Sequence, residues 1–345
     1  MQKVIFKLVS LFLAFFLLTS CYVARSSWEF GKLYSSRKRV DDLIADPNSP
    51  SKLVDRLKFL KELLKYAKEQ GLNSDGAYAY YIDLKKADSV SFLVEASEAF
   101  ELKPVTWWFP FVGTVPYLGY FNKKDRDSKA QSLSGQGYDI YLGEASAFSS
   151  LGWFEDPIFS NVIFSRKDNM VDTVFHELVH RTIWAKGEVD FNEQLATFIA
   201  DVMTVSYLKK SGDLKELESH VNKKQDRALF ADWLNHLRQD LERFYSQLPK
   251  EEKSVLLKKK KEIFDFHLLQ KKPRFQSSDY LGRGPWNNAT VLASKMYTPD
   301  SAALEKALRC SGEHINLFLE NLKKNLERTS KPQKALEGLC SQVHP

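Results

Sequence analysis

From Gly31 to Glu69 apolar residues recur every three or four positions, and Leu53, Leu57, Leu60, Leu63 and Leu64 form one stripe. That period predicts helix, with Gly71 as its stop. Between Ala77 and Phe164 the texture changes to aromatic and β-branched clusters broken by glycine and proline, as in Trp107-Trp108-Phe109-Pro110 and Val112-Gly113-Thr114-Val115-Pro116. Short strands and turns are expected there. Helical spacing resumes from Met170 to Lys186 through Val171, Val174, Phe175, Leu178 and Ile183, with Asp168 or Asn169 as N-cap and Gly187 as stop. A second helix follows from Phe191 to Lys209, its buried side supplied by Leu195, Phe198, Ile199, Val202 and Met203. Ala196 and Ala200 are small enough to let the two helices approach closely. Beyond Gly212 the pattern gives long charged helices, Gln225 to Gln247, Lys250 to Lys271 and His314 to Arg328. The fold class is therefore α+β and mostly helical. No Pro/Gly/Ser-rich linker divides residues 31–345, so one domain is expected behind a tether over 21–30.

The 345 residues are 43% hydrophobic, enough for a sizeable core, and the net charge of +6 is the near-cancellation of 50 basic and 44 acidic residues. A dominant disordered class is excluded, and nothing suggests a nucleic-acid partner. The run Lys258-Lys259-Lys260-Lys261, with Glu251, Glu252 and Glu262 nearby, reads as a solvated helical hairpin. At the start, Lys3 and Lys7 precede an apolar run from Leu8 to Leu18 that is short for a membrane span. A secretory signal over residues 1–20 is expected. Leu18-Thr19-Ser20-Cys21 resembles the bacterial lipobox, which implies a lipid on Cys21 and a membrane anchor in the cell envelope, facing the periplasm or exterior. An oxidising compartment would permit Cys310 and Cys340 to pair, but spacing does not decide whether they meet.

The concentrated chemistry is His176-Glu177-Leu178-Val179-His180. On a helix, residues four apart share a face, so His176 and His180 can grip one Zn²⁺, with Glu177 beside them as general base. Glu193, at the start of the next helix, is the candidate third ligand, leaving a fourth position open as catalytic zinc requires. It also fits a capping box with Asp190, in which it would fold back on its own helix. Ligating imidazoles usually give their second N–H to an acceptor, and Thr197 or Asp201 could serve. The other five histidines show no partner acid at ligand spacing.

Together with Phe191-Asn192-Glu193-Gln194-Leu195-Ala196, the motif resembles a bacterial family of predicted aminopeptidases, zinc metallopeptidases often carried as envelope lipoproteins. The resemblance extends through Phe109-Pro110-Phe111-Val112-Gly113, Val115-Pro116-Tyr117, Gly119-Tyr120-Phe121, Ala147 to Phe154, Asp156-Pro157 and Asn287-Asn288-Ala289, from about Gly31 to Leu322. Members often have cysteines near Trp108 and Thr114, which this chain lacks. The resemblance implies a zincin-like domain with a short-stranded sheet beside the motif helix, His176, His180 and Glu193 as zinc ligands, and Glu177 as base. It further implies hydrolysis of peptide substrates, as an envelope-anchored aminopeptidase. In zinc peptidases of this type a strand beside the active helix pairs with substrate, and Ala147 to Phe154 is the candidate. Glu144, Glu155 and Asp156 compete to bind a substrate ammonium, and Tyr117, Tyr120, Tyr138 and Tyr297 to stabilise the oxyanion. Two other readings stay open: an envelope zinc endopeptidase, and a non-catalytic lipoprotein scaffold with a structural metal.

Overall fold

The computed structural model describes residues 25–26, 28–85, 89–109, 113–145, 156–248, 250–278, 280–282, 284–295 and 301–341. The signal segment, Cys21, Glu155, Tyr297 and the proposed substrate strand at Ala147 to Phe154 lie outside these residues.

The helix expected from Gly31 to Glu69 is interrupted. It divides into a helix over 28–35 (α1), a short strand β1 (Lys38–Arg39), α2 (Val40–Ala45) and α3 (Ser51–Glu69). The tether expected over 21–30 therefore already gives way to helix by residue 28. Pro47 and Pro50 explain the last break, since each disfavours helix in the residue before it. The Asn48 N–H donates to Asp46 Oδ1 at 2.9 Å, closing the turn between them. In α3 the stripe holds: Leu57, Leu60 and Leu63 are fully buried, while Leu64 only packs against the core's edge. Gly71 ends the helix at φ +88°, and a Cβ there would lie 3.1 Å from Asn316. It serves as both stop and close-contact point.

Strand β1 pairs antiparallel with β2 (Tyr80–Ile82), which pairs parallel with β8 (Ile158–Phe159). A second sheet has the order β6 (Tyr117–Tyr120), β3 (Ser91–Ser97), β7 (Asp139–Ala145), all antiparallel, with Val94 opposite Leu118 and Leu142. A separate hairpin joins β4 (Trp107–Phe109) and β5 (Gly113–Val115). Between β6 and β7 runs α4 (Lys123–Gly135), which the strand-like texture of the region concealed. Asn122 caps it by accepting from the Lys124 N–H at 2.9 Å. Ala130 and Leu133 bury against Val94, Ala96 and Leu118.

Short α5 (Ser160–Ile163) leads into α6 (Lys167–Thr182) and α7 (Val189–Ser211), followed by α8 (Leu214–Ser246), α9 (Lys253–Gln270), α10 (Asn288–Lys295), α11 (Ala302–Cys310), α12 (Ile315–Arg328) and α13 (Pro332–Ser341). The main core unites α3, α6 and α7 with α11 to α13. A second core lies between α8 and α9, where Phe230 stacks on Tyr280 at 4.9 Å. The lysine run on α9 is not uniformly solvated, because Lys260 is buried, donates to Ala99 O at 2.7 Å and pairs with Asp139. Cys310 and Cys340 form a disulfide between α11 and α13, their Cα atoms 5.0 Å apart. Among the described residues, no helix is long and apolar enough to cross a membrane.

Candidate metal centre

The motif helix α6 starts at Lys167, one residue before the expected caps. Asp168 does other work: fully buried, its carboxylate accepts from Lys223 Nζ at 2.6 Å and Ser219 Oγ at 2.9 Å, tying α6 to α8. At the far end the chain leaves the helix at Ile183, before Gly187, and the Asn192 side chain clamps the corner. Its Oδ1 accepts from the Ala185 N–H and its Nδ2 donates to the Ala185 carbonyl, both at 2.8 Å. With Gly187 at φ +82° completing the bend, α7 returns immediately along α6.

That corner brings Glu193 to the two imidazoles. Oε2 lies 3.3 Å from His176 Nε2, Oε1 lies 3.4 Å from His180 Nε2, and the two Nε2 atoms are 3.2 Å apart. Donors about 2.0–2.1 Å from a tetrahedral zinc are about 3.3 Å from one another, so the spacing fits such an ion. The chemistry fits too, with two nitrogens and one carboxylate leaving a position for water. The capping alternative fails because α7 begins at Val189 and Glu193 is already past its third residue.

Without an ion, these groups neutralise one another. Burial opposes charge on His176, but the hydrogen bond it donates to Glu193 and the charges of Glu177, Glu193 and Asp172 outweigh it and lift its pKa to about 9. Burial also works against the Glu193 carboxylate, yet hydrogen bonds from His176 and His180 hold its pKa far below the usual range. An ion entering here must displace a proton.

Glu177 lies beside the first imidazole, and burial, reinforced by Glu193 and Asp156, raises its pKa against the opposing pull of both histidines. A carboxyl raised in this way holds a proton more readily than a free one, as a group that accepts and returns a proton must. Tyr78 shares its surroundings. Its ring is buried, its backbone is held at φ +55° by an N–H donated to Asp156 O at 3.1 Å, and a bulky residue in that conformation is strained. Burial first, then the charges of Glu177 and Asp156, keep its phenol protonated. Arg181 fastens the same loop, donating to Asp156 Oδ2 at 3.2 Å and to Asp75 O at 3.1 Å. Tyr78 has no sequence pattern of its own, because its place comes from a contact between distant segments.

Thr197 and Asp201 do not meet the imidazoles; no hydrogen bond from either to His176 or His180 occurs among the described residues. Two turns along α7 from Glu193, Asp201 instead lies 3.2 Å from His220 Nε2 and 3.3 Å from Arg227. Asp172, Asp201 and His220 also cluster, but Arg227 already supplies positive charge to that group. His180 Nδ1 is enclosed without any hydrogen-bond partner among the described residues. Its ring packs edge-on against Trp184, with centroids 5.5 Å apart and planes at 71°.

The other candidates disperse. Tyr120 and Tyr138 pack around the second sheet, and Tyr117 on β6 lies opposite Glu95 of β3. Asp156 is buried against Arg181 and is not an open acceptor for an ammonium group, whereas Glu144 accepts from Ser89 but stays exposed near the end of β7.

Fold and site together define a mostly helical α+β protein with a His/His/Glu donor group at a helical corner. A family profile described as "Putative aminopeptidase" matches residues 21–336, and the chain belongs to that family. The description implies a peptidase. No curated protein and no solved structure matches the chain.

Proposed function

We propose that the protein is a zinc-dependent peptidase of the cell envelope, acting as an aminopeptidase. The observation that supports the zinc reading is the convergence of His176 Nε2 and His180 Nε2, 3.2 Å apart, on the Glu193 carboxylate, whose oxygens lie 3.3 and 3.4 Å from them. A Zn²⁺ bound there would polarise the scissile carbonyl and acidify water. Glu177 takes the proton of the attacking water and returns it to the leaving amine. The Tyr78 hydroxyl, close to Glu177, donates to the oxygen that becomes negative at the tetrahedral stage. His176 and His180 would hold the ion through Nε2 and would keep their protons on Nδ1. The lipobox-like segment ending at Cys21 supports a lipid anchor, and the family description supports removal of amino-terminal residues.

Elemental analysis of protein purified without a metal-affinity tag is expected to give about one zinc per chain, absent in His176→Ala. Glu177→Gln should keep the zinc and lose turnover by at least about 100-fold; near-normal hydrolysis would remove Glu177 as base. Paired free and N-acetylated peptides test the aminopeptidase assignment, which equal cleavage of the blocked substrates would rule out.

A further inference from the structure

His180 presents an unusual problem for a metal ligand. To offer the Nε2 lone pair, a neutral imidazole must carry its proton on Nδ1, and ligating histidines commonly give that proton to an acceptor that fixes the ring. Here Nδ1 is enclosed and has no acceptor among the described residues, so packing is what orients the ring. Among the described residues two rings pack on it: His176, with centroids 4.8 Å apart and planes at 85°, and Trp184, at 5.5 Å and 71°. His176 is itself a donor of the group, which leaves Trp184 as the outside support. Trp184 is in turn held, because the next residue, Ala185, has both its N–H and its carbonyl bound by the Asn192 side chain at 2.8 Å. Asn192 precedes Glu193 directly, so one clamp sets the third donor and the indole together.

We propose that Trp184 is a positioning residue of the metal centre. Its indole holds the His180 imidazole so that Nε2 points at His176 Nε2 and Glu193, in the role that a hydrogen-bond acceptor on Nδ1 would otherwise fill. The inference rests on the metal-binding part of the function proposed above. The indole acts through ring-on-ring packing, so another aromatic side chain should substitute where an aliphatic one of similar bulk does not.

The test is the zinc affinity of the full-length protein, measured by competition with a chromophoric chelator, for wild type, Trp184→Ala, Trp184→Phe and Trp184→Leu. Removal of the support should weaken zinc binding by about 10–100-fold in the alanine variant. Phenylalanine should recover most of that loss and leucine little of it, while the melting midpoints of the metal-free proteins stay close to one another. Wild-type affinity in Trp184→Ala overturns the proposal, as does equal recovery by leucine and phenylalanine. Should the alanine variant not fold, the phenylalanine and leucine pair decides by the same criterion. Failure of the wild-type protein to bind zinc at all overturns the metal reading itself, an outcome distinct from tight zinc that is indifferent to residue 184.

Discussion

Glu95 is a buried carboxyl and Glu177 a half-buried one, and their surroundings give them opposite significance. Glu95 lies on β3 opposite Tyr117 and Tyr141, and burial alone lifts its pKa to about 7. A folded-state pKa above the ordinary value of about 4.5 means that the fold favours the protonated form. Its contribution is therefore fully present below about pH 4.5 and is lost as pH rises through 7. Glu95→Gln should raise the melting midpoint at pH 8 and leave it unchanged at pH 4, a gain of order 1–3 kcal/mol at the higher pH. A pH-independent effect would refute that account. Glu177 is also raised, but next to the donor group, where a poised carboxyl has a use. Its neighbour Tyr78 gives a second residue-level prediction: Tyr78→Phe should lower kcat by about 10²–10³-fold with zinc content and folding unchanged. An unaffected kcat would return Tyr78 to a packing role.

At the level of elements, α6 and α7 were readable in the sequence because the buried stripe and the donors share one register. His176, Glu177, His180 and Glu193 were all legible for that reason. Their boundaries were less so, since Asp168 has the composition of a cap but is used as a bridge to α8. Helix α4 escaped because its inward side is Arg126, Ala130 and Leu133, too sparse an apolar face to announce a period. The roles of Asn192, Trp184 and Tyr78 depend on contacts across a turn or between segments, which spacing along the chain does not encode. Ala196 and Ala200, fully buried on α7, match the expectation of small residues near the metal corner. Ala196→Leu should overpack the core, cost about 1–3 kcal/mol and weaken zinc binding by displacing Glu193. Calorimetry and zinc titration on that variant check both effects; wild-type zinc affinity despite the lost stability would show that the close fit does not govern the site.

Across the whole molecule, the carboxy-terminal helices complete the core that α3 and the site helices begin, and the Cys310–Cys340 bond closes this part of the fold over a separation of 30 residues. By the chain-entropy relation, a loop of that length stabilises by about 3–4 kcal/mol. Cys310→Ser with Cys340→Ser should therefore lower the melting midpoint clearly while zinc stoichiometry persists, and an unchanged midpoint would show that the bond constrains nothing. The site itself depends little on such long-range closure, because all its donors sit on two successive helices joined by one clamped bend. Such a neighbourhood is available early, as the chain emerges and before the carboxy-terminal helices have been synthesised. An ion captured at that stage would staple the hairpin and act as a template on which later segments dock, making metal supply during synthesis a determinant of yield as well as of activity.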